Sequence, residues 1–184
     1  MMSKLLAGVI ALVMALPVVA QKKYYTKNGR VSFQAGTAVE DIDGVNPAAA
    51  SVLDAATGQL EYMVLVKGFE FKRALMQEHF NENYMESDKY PKSVFKGKIT
   101  NLSSVNFSKD GTYPVTVKGI LDMHGVKKEV ESKGTLTVSG ETIAAEASLE
   151  VALADFNIAI PGVVSDKISK TVKINISCKY NVLQ

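Results

Sequence analysis

The stretch that decides the fold is Met76–Ile99, MQEHFNENYMESDKYPKSVFKGKI. Within it, three apolar side chains recur at intervals of four residues: Met76, Phe80 and Tyr84. This spacing places them on one face of an α-helix. Pro91 stops further helix and favours extended backbone in the residue before it, so a strand is expected to follow. We predict an amphipathic helix over about residues 72–83, and we expect it to close one end of a β structure formed by the rest of the chain.

Most of the remaining sequence alternates apolar and polar residues, the two-residue period of strands that bury one face. Eight strands are predicted, at 24–36, 48–55, 59–68, 92–107, 112–123, 126–138, 141–153 and 167–182. Residues 37–47 are predicted as an exposed acidic loop, because their spacing does not fit an EF-hand calcium site. Tight turns such as His124-Gly125 are typical of antiparallel sheets. Strands this long would leave exposed edges in an open sheet, so we predict an all-β, eight-stranded antiparallel barrel with the helix inserted between strands.

Several inward-facing positions of these strands carry small residues: Ser93, Gly97, Gly119, Ser132, Gly134, Ala145 and Ala147. Protein interiors contain few voids, so this missing volume has to be compensated. Three arrangements remain open. The barrel flattens and packs across itself, Phe80 and Tyr84 plug it, or it encloses an apolar chain. An enclosed chain that buries about ten methylenes would gain roughly 8 kcal/mol before the costs of ordering.

Composition and the N-terminus limit the class of protein. The chain has 184 residues and a net charge of +2, which argues against an extended nucleic-acid surface. Residues 1–20 combine a positive Lys4, the short apolar run Leu5–Leu16 and small residues up to Ala20, so we predict a signal peptide cleaved after Ala20. No other apolar run is long enough to span a bilayer. We therefore predict a periplasmic or secreted protein, without stable membrane insertion, whose domain occupies residues 21–184.

The sequence offers little for catalysis or metal binding. It contains two histidines, His79 and His124, in different predicted elements and without a metal-ligand partner one helical turn away. No nucleophile elbow or phosphate-binding glycine loop is present. We predict no enzyme, no metal and no cofactor. His124 is expected to serve its tight turn, with a head-group contact as the alternative, whereas His79, together with Arg73 and Lys72, could meet a phosphate at a barrel mouth. Cys178, the single cysteine, is expected to be a small buried hydrophobe.

Three motifs in order resemble those of the YceI-like family. The run His79-Phe80-x3-Tyr84, followed by Lys89-Tyr90-Pro91-Lys92-x-x-Phe95-Lys96, resembles its helix-to-strand signature. The segment Leu121–Val126 resembles its L-x-x-HGV hairpin, and Ala154–Ile158 resembles its DF-x-I element. The resemblance implies a lipocalin-like barrel that binds a polyisoprenoid or related amphipathic lipid in a periplasmic or secreted bacterial protein. This chain departs from the family in having no Trp, and in carrying Gly36–Asp41 where a first-strand His would fall.

The expected lumen residues are Phe33, Tyr62, Val64, Phe69, Phe80, Tyr84, Phe95, Ile99, Val115, Val117, Gly119, Gly134, Ala145, Ala147 and Phe156. The head-group candidates are Arg73, His79 and His124. The predicted function is that of a lipid carrier or sink with a long-chain lipid as its partner; a homodimer is left open. The alternative is an envelope-stress or protein-interaction module that uses the barrel as a scaffold and presents loops 37–47 or 154–166.

Overall fold

The computed structural model describes residues 22–183. Its strands are β1 (Lys23–Gly36), β2 (Asp43–Asp54), β3 (Gln59–Leu65), β4 (Lys92–Ile99), β5 (Gly111–Met123), β6 (Val126–Ser139), β7 (Thr142–Ala152) and β8 (Ile168–Val182). Each strand pairs antiparallel with its neighbours in sequence, and β8 pairs back with β1 to close the barrel. The predicted eight-stranded antiparallel barrel with a helix between strands is therefore confirmed. The predicted signal peptide, residues 1–20, lies outside the described residues.

The inserted helix is shorter and less regular than predicted. α1 spans Ala74–His79, and a π-helical turn, Phe80–Tyr84, continues it. The backbone of Arg73 is extended, at φ −126° and ψ 128°, so the helix begins after it. The N–H of Met85 donates to the carbonyl of Phe80 at 2.9 Å, a bond that spans five residues and widens the turn. The segment thus changes from α-helix to π-helix at Phe80, whose ring stacks on Phe33 of β1.

Two strand boundaries differ from the prediction by more than three residues. β2 begins at Asp43, because residues 43–46 pair with β1, for example Asn46 opposite Val31. The predicted acidic loop is therefore reduced to residues 37–42. β4 ends at Ile99, well before the predicted end at residue 107, because Asn101 donates to the carbonyl of Pro114 at 3.0 Å and starts a 3-10 turn.

The residues after that turn close one end of the barrel. Val105 and Phe107 continue the alternation of β4, but together with Leu102 they pack against the buried cluster around Tyr24. The rings of Phe107 and Tyr24 are stacked with centroids 6.2 Å apart. The other end contains α1, the π-helical turn and the 3-10 segment Leu153–Phe156. The two ends are packed as separate clusters, and a third buried cluster contains Val31, Ala49, Val64 and Phe69.

The ladder between β6 and β7 is incomplete. It runs from Ser139 opposite Thr142 to Lys133 opposite Ser148 and stops there, although both strands continue. The same register carried further would bring Glu131 opposite Glu150, and like charges directly opposite each other destabilise a pair. Glu131 instead forms an ion pair with Lys118 of β5, with atoms 2.7 Å apart. Strands β6 and β7 are therefore not paired with each other in the part of the wall that lies towards α1.

Candidate functional site

The barrel encloses an apolar cavity of about 560 Å³. All eight strands contribute to its lining, for example Val31, Leu53, Leu60, Phe95, Val117, Leu136, Ala147 and Ile176. The barrel has therefore not flattened onto itself, and Phe80 and Tyr84 lie in the lining without filling the space. Of the three arrangements that the small inward residues left open, the structure has the hollow one.

Most of the predicted lumen residues lie in this lining: Phe33, Tyr62, Val64, Phe69, Phe80, Tyr84, Phe95, Ile99, Val115, Val117, Ala145 and Ala147. Gly119 and Gly134 do not, which corrects their assignment. A Cβ atom on either would lie 2.3 Å from a carbonyl oxygen of the adjacent strand, of Lys96 and Glu146 respectively. These two glycines therefore allow close approach of strands, whereas Ala145 and Ala147 leave the space open.

Phe156 is also outside the cavity lining, which corrects its assignment. It lies in the 3-10 segment Leu153–Phe156, with 1% of its surface exposed, in the cluster that packs the α1 end of the barrel. The sequence pattern places Phe156 after a strand, where alternation no longer indicates which way a side chain points. Its role in the structure is to seal the barrel.

Four phenylalanines form a contiguous wall of the cavity near α1. The rings of Phe33, Phe69, Phe71 and Phe80 are in contact, with Phe80 stacked on Phe33 at a centroid distance of 5.5 Å. Such aromatic pairs contribute about 0.5–1.5 kcal/mol each beyond area burial. Phe71 was not predicted as a lumen residue, although its spacing from Phe69 continues a strand pattern. This wall fixes the π-helical turn against β1.

The cavity reaches the solvent beside α1, at an opening that we call the mouth. Glu40, Arg73, His79 and Lys167 contribute to the lining there and are all partly exposed. The guanidinium of Arg73 donates to one carboxylate oxygen of Glu40, and the ammonium of Lys167 lies 3.6 Å from the other. The hydrogen bond from Arg73 holds the pKa of the Glu40 carboxyl below its usual value. The head-group candidates Arg73 and His79 thus lie at the cavity opening.

Glu40 and Lys167 were missed by sequence reasoning. They lie far apart in the chain, Glu40 in the connection before β2 and Lys167 in the connection before β8, and no local pattern links them to Arg73. Barrel closure brings their segments together, and the hydroxyl of Thr37 reinforces the contact by donating to the carbonyl of Asp166 at 2.7 Å. Only their charge could have indicated them: Arg73 and Lys167 are cations, Glu40 is a carboxylate, and all three lie in connections between strands.

His124 is not at the mouth, which corrects its assignment as a head-group candidate. It is buried in the β5–β6 turn with a positive φ of 52°. Its Nδ1 donates to the carbonyl of Phe156 at 2.9 Å, and its Nε2 lies 2.9 Å from a carboxylate oxygen of Glu86. Tyr90 packs edge-on against the ring at 4.7 Å. The histidine therefore ties the hairpin to the π-helical end and to the segment that contains Phe156.

A short series of polar groups lies towards the end closed by Phe107. The hydroxyl of Ser51 donates to the carbonyl of Glu61 at 2.7 Å, so it accepts from Tyr180 at 2.8 Å. The thiol of Cys178 lies 3.6 Å from the hydroxyl of Tyr62. Burial raises the pKa values of Tyr62, Cys178 and Tyr180. These groups stay uncharged, so this end of the barrel remains compatible with an apolar ligand.

Within residues 22–183, His, Cys, Asp and Glu side chains nowhere gather in groups of three or more that could hold a metal ion. Over the same residues, no helix has both the length and the apolar character needed to cross a bilayer.

Comparison with known proteins identifies relatives of the fold. Residues 22–180 match the model of the YceI-like domain family. A polyisoprenoid binding domain from Saccharophagus degradans, implicated in plant cell wall breakdown, superposes with a TM-score of 0.75 at 12% identity, covering 89% of this chain and 99% of that one. Burkholderia cenocepacia BcnA has a TM-score of 0.68 at 16% identity, covering 83% and 95%. The Campylobacter jejuni YceI protein has a TM-score of 0.57 at 14% identity, covering both chains fully. Curated proteins gave no match.

Proposed function

Because this chain belongs to the family of YceI-like domains, we propose that it binds a long-chain amphipathic lipid, of the polyisoprenoid kind, inside its barrel. The observation that carries the proposal is the apolar cavity of about 560 Å³ between the two packed ends. The S. degradans domain of similar fold is described as polyisoprenoid binding. An apolar, preformed cavity with a few polar groups at its edge is the usual form of a small-molecule site.

The cavity limits the length of the bound chain. If a methylene takes about the 30 Å³ that a water molecule occupies in the liquid, the volume corresponds to roughly twenty carbons. Burial of half of these would contribute about 8 kcal/mol before ordering costs. We therefore propose an acyl or isoprenoid chain of about fifteen to twenty carbons as the best fit. A longer chain would have to leave the barrel through the mouth or the unpaired stretch between β6 and β7.

We propose binding without catalysis, as a carrier or sink outside the cytoplasm. His79 lies at the mouth, whereas both ring nitrogens of His124 are occupied by structural contacts. The two histidines thus belong to different parts of the barrel and do not form a catalytic pair. The location is supported by the sequence of residues 1–20, which has the pattern of a secretory leader.

A protein-interaction role is the second candidate, and exposed apolar side chains favour it. Val39 is 64% exposed and Val163 is 89% exposed, on the two connections that the alternative function would use. Scattered exposed apolar residues are common, so this observation is weaker than the cavity. Replacing both valines by Ser tests it. Loss of a partner with lipid binding unchanged would favour this role, and unchanged partners would oppose it.

The direct test of lipid binding uses the protein purified without its leader. Organic extraction and mass spectrometry should recover a lipid at close to one per protein. After delipidation, titration with a C20 isoprenoid alcohol should give saturable one-to-one binding in native mass spectrometry. The absence of both a recovered lipid and any saturable binding, across chains from ten to twenty carbons, would refute the proposal.

A further inference from the structure

The mouth of the barrel has an excess of positive charge over the carboxylate that bridges it. Arg73 and Lys167 both contact Glu40, so two cations share one carboxylate. His79 adds a third nitrogen-bearing side chain to the same part of the lining. An arginine side chain has five N–H donors in a geometry that suits an oxyanion. The described contacts of Arg73 use only one of its two Nη atoms, which donates to Glu40 and lies near the sulfur of Met76. Donors therefore remain available at the opening.

The architecture fixes which end of an amphiphile would meet these donors. The far end of the cavity is sealed by the cluster around Tyr24 and Phe107, where the hydroxyls of Ser51 and Tyr180 bond to each other and the thiol of Cys178 lies beside the hydroxyl of Tyr62. The mouth is where the lining changes from apolar residues such as Leu75 and Ile168 to charged ones. A tail inside the barrel consequently places its head group between Arg73 and Lys167.

The contacts of Glu40 show what kind of head group this position accepts. Each of its two carboxylate oxygens meets one cation, Arg73 on one side and Lys167 on the other. A ligand carboxylate or phosphate monoester presents the same pair of oxygens. A hydroxyl offers one oxygen without charge, and hydrogen bonds to charged groups are roughly twice as strong as neutral ones.

Building on the proposed lipid-binding function, we propose that the mouth selects amphiphiles with an acidic head group, which competes with Glu40 for Arg73 and Lys167. Glu40 then acts as an internal competitor that keeps the two cations in place and weakens binding of every acidic ligand. The carboxylate and the phosphate monoester share this chemistry. The experiment below separates them.

The test compares three C20 isoprenoids that differ only in the head group: geranylgeraniol, geranylgeranoic acid and geranylgeranyl monophosphate. We expect at least one of the two anions to bind the delipidated protein about tenfold more tightly than the alcohol, because of the added charge-assisted bonds. The anion with the larger gain identifies the head-group class. Equal affinities for all three would overturn the proposal.

Three substitutions separate the mouth from general charge effects. R73Q should lower the affinity for the preferred anion about tenfold more than it lowers the affinity for the alcohol. E40Q should raise the affinity for the anion relative to the affinity for the alcohol. K72Q is the matched control, because Lys72 is the adjacent exposed cation, pairs with Asp43 at 3.9 Å and is outside the lining. An equal effect of K72Q and R73Q on the anion would overturn the proposal.

The outcome also distinguishes this inference from the function on which it rests. If the alcohol binds one-to-one and the anions gain nothing, the lipid-binding function stands and the acidic head group is wrong. If none of the three ligands binds, the lipid-binding function itself fails. Thermal unfolding of each variant without ligand checks that R73Q and E40Q retain the fold.

Discussion

Filling the cavity from its wall should shorten the chain that it can hold. Ala147 lines the cavity on β7, between Gly134 of β6 and Ile176 of β8, so a larger side chain there has no bulky neighbour on the β6 side. The substitution A147F adds a ring of six carbons. If the ring displaces about four methylenes of a bound C20 chain at about 0.8 kcal/mol each, affinity falls by about 3 kcal/mol, or roughly 200-fold.

The assay is a chain-length series of isoprenoid alcohols with ten, fifteen and twenty carbons, measured by displacement of a fluorescent probe. We expect A147F to lose affinity for the C20 chain, to lose less for C15, and to bind C10 as the unmodified protein does. The matched control is A144F. Ala144 lies three residues earlier on β7, is exposed on the outer face, and receives the same added ring.

Stability separates a filled cavity from a damaged barrel. A ring that enters existing space should leave the urea midpoint unchanged or raise it, whereas an overpacked wall costs about 1–3 kcal/mol. If A147F binds the C20 chain as tightly as A144F does, with both variants stably folded, the cavity is not the binding site. The reasoning would then be refuted at its first step.

Four further outcomes are expected. F156A should lower the free energy of unfolding by about 3–5 kcal/mol in urea titrations, because a fully buried ring is removed from the α1 end; a loss under 1 kcal/mol would contradict this. H124A should cost about 1–3 kcal/mol, because the carbonyl of Phe156 loses its donor; a neutral result would show that the turn holds without it. Burial raises the pKa of Cys178, so a thiol reagent at pH 8 should react slowly with the folded protein and rapidly in urea. The pKa of Glu40 is lowered, so its carboxylate stays charged and bonded to Arg73 at any pH above the ordinary pKa of 4.5. The bond is lost only as the pH falls through the lowered pKa. Amide hydrogen exchange at Thr37 and Val39 should therefore increase only in that acidic range.

Alternation predicted the strands well, and its failures have physical causes. Val105 and Phe107 continue the alternation of β4, yet Asn101 bonds to the carbonyl of Pro114, a 3-10 turn follows, and both side chains pack against the cluster around Tyr24. Residues 43–47 were predicted to lie in an exposed loop, although they form the first part of β2 and Asn46 is buried. For Val105 and Phe107 the pattern was correct about burial and wrong about the backbone, whereas for residues 43–47 it was wrong about both.

The cavity walls were more predictable than the mouth. A strand residue's facing follows from its neighbours, so Phe33, Phe95 and Ala147 could be placed from sequence. The contact of Glu40 with Arg73 and Lys167 depends on barrel closure, which joins three connections that are distant in the chain. His124 could be singled out from its sequence motif, but its contacts could not. The motif did not indicate that its partners would be Glu86 and the backbone carbonyl of Phe156.

The arrangement of the core explains how a barrel this size can stay hollow. Its buried side chains form three clusters, one around Tyr24, one around Phe156 and one around Val31 and Phe69, and residues of all three line the cavity. Each cluster can contribute its burial energy without the cavity being filled. A chain bound along the axis would contact all three clusters and join them. Ligand binding should therefore stabilise the whole barrel by mass action, by about 2.7 kcal/mol at a free ligand concentration one hundred times the Kd.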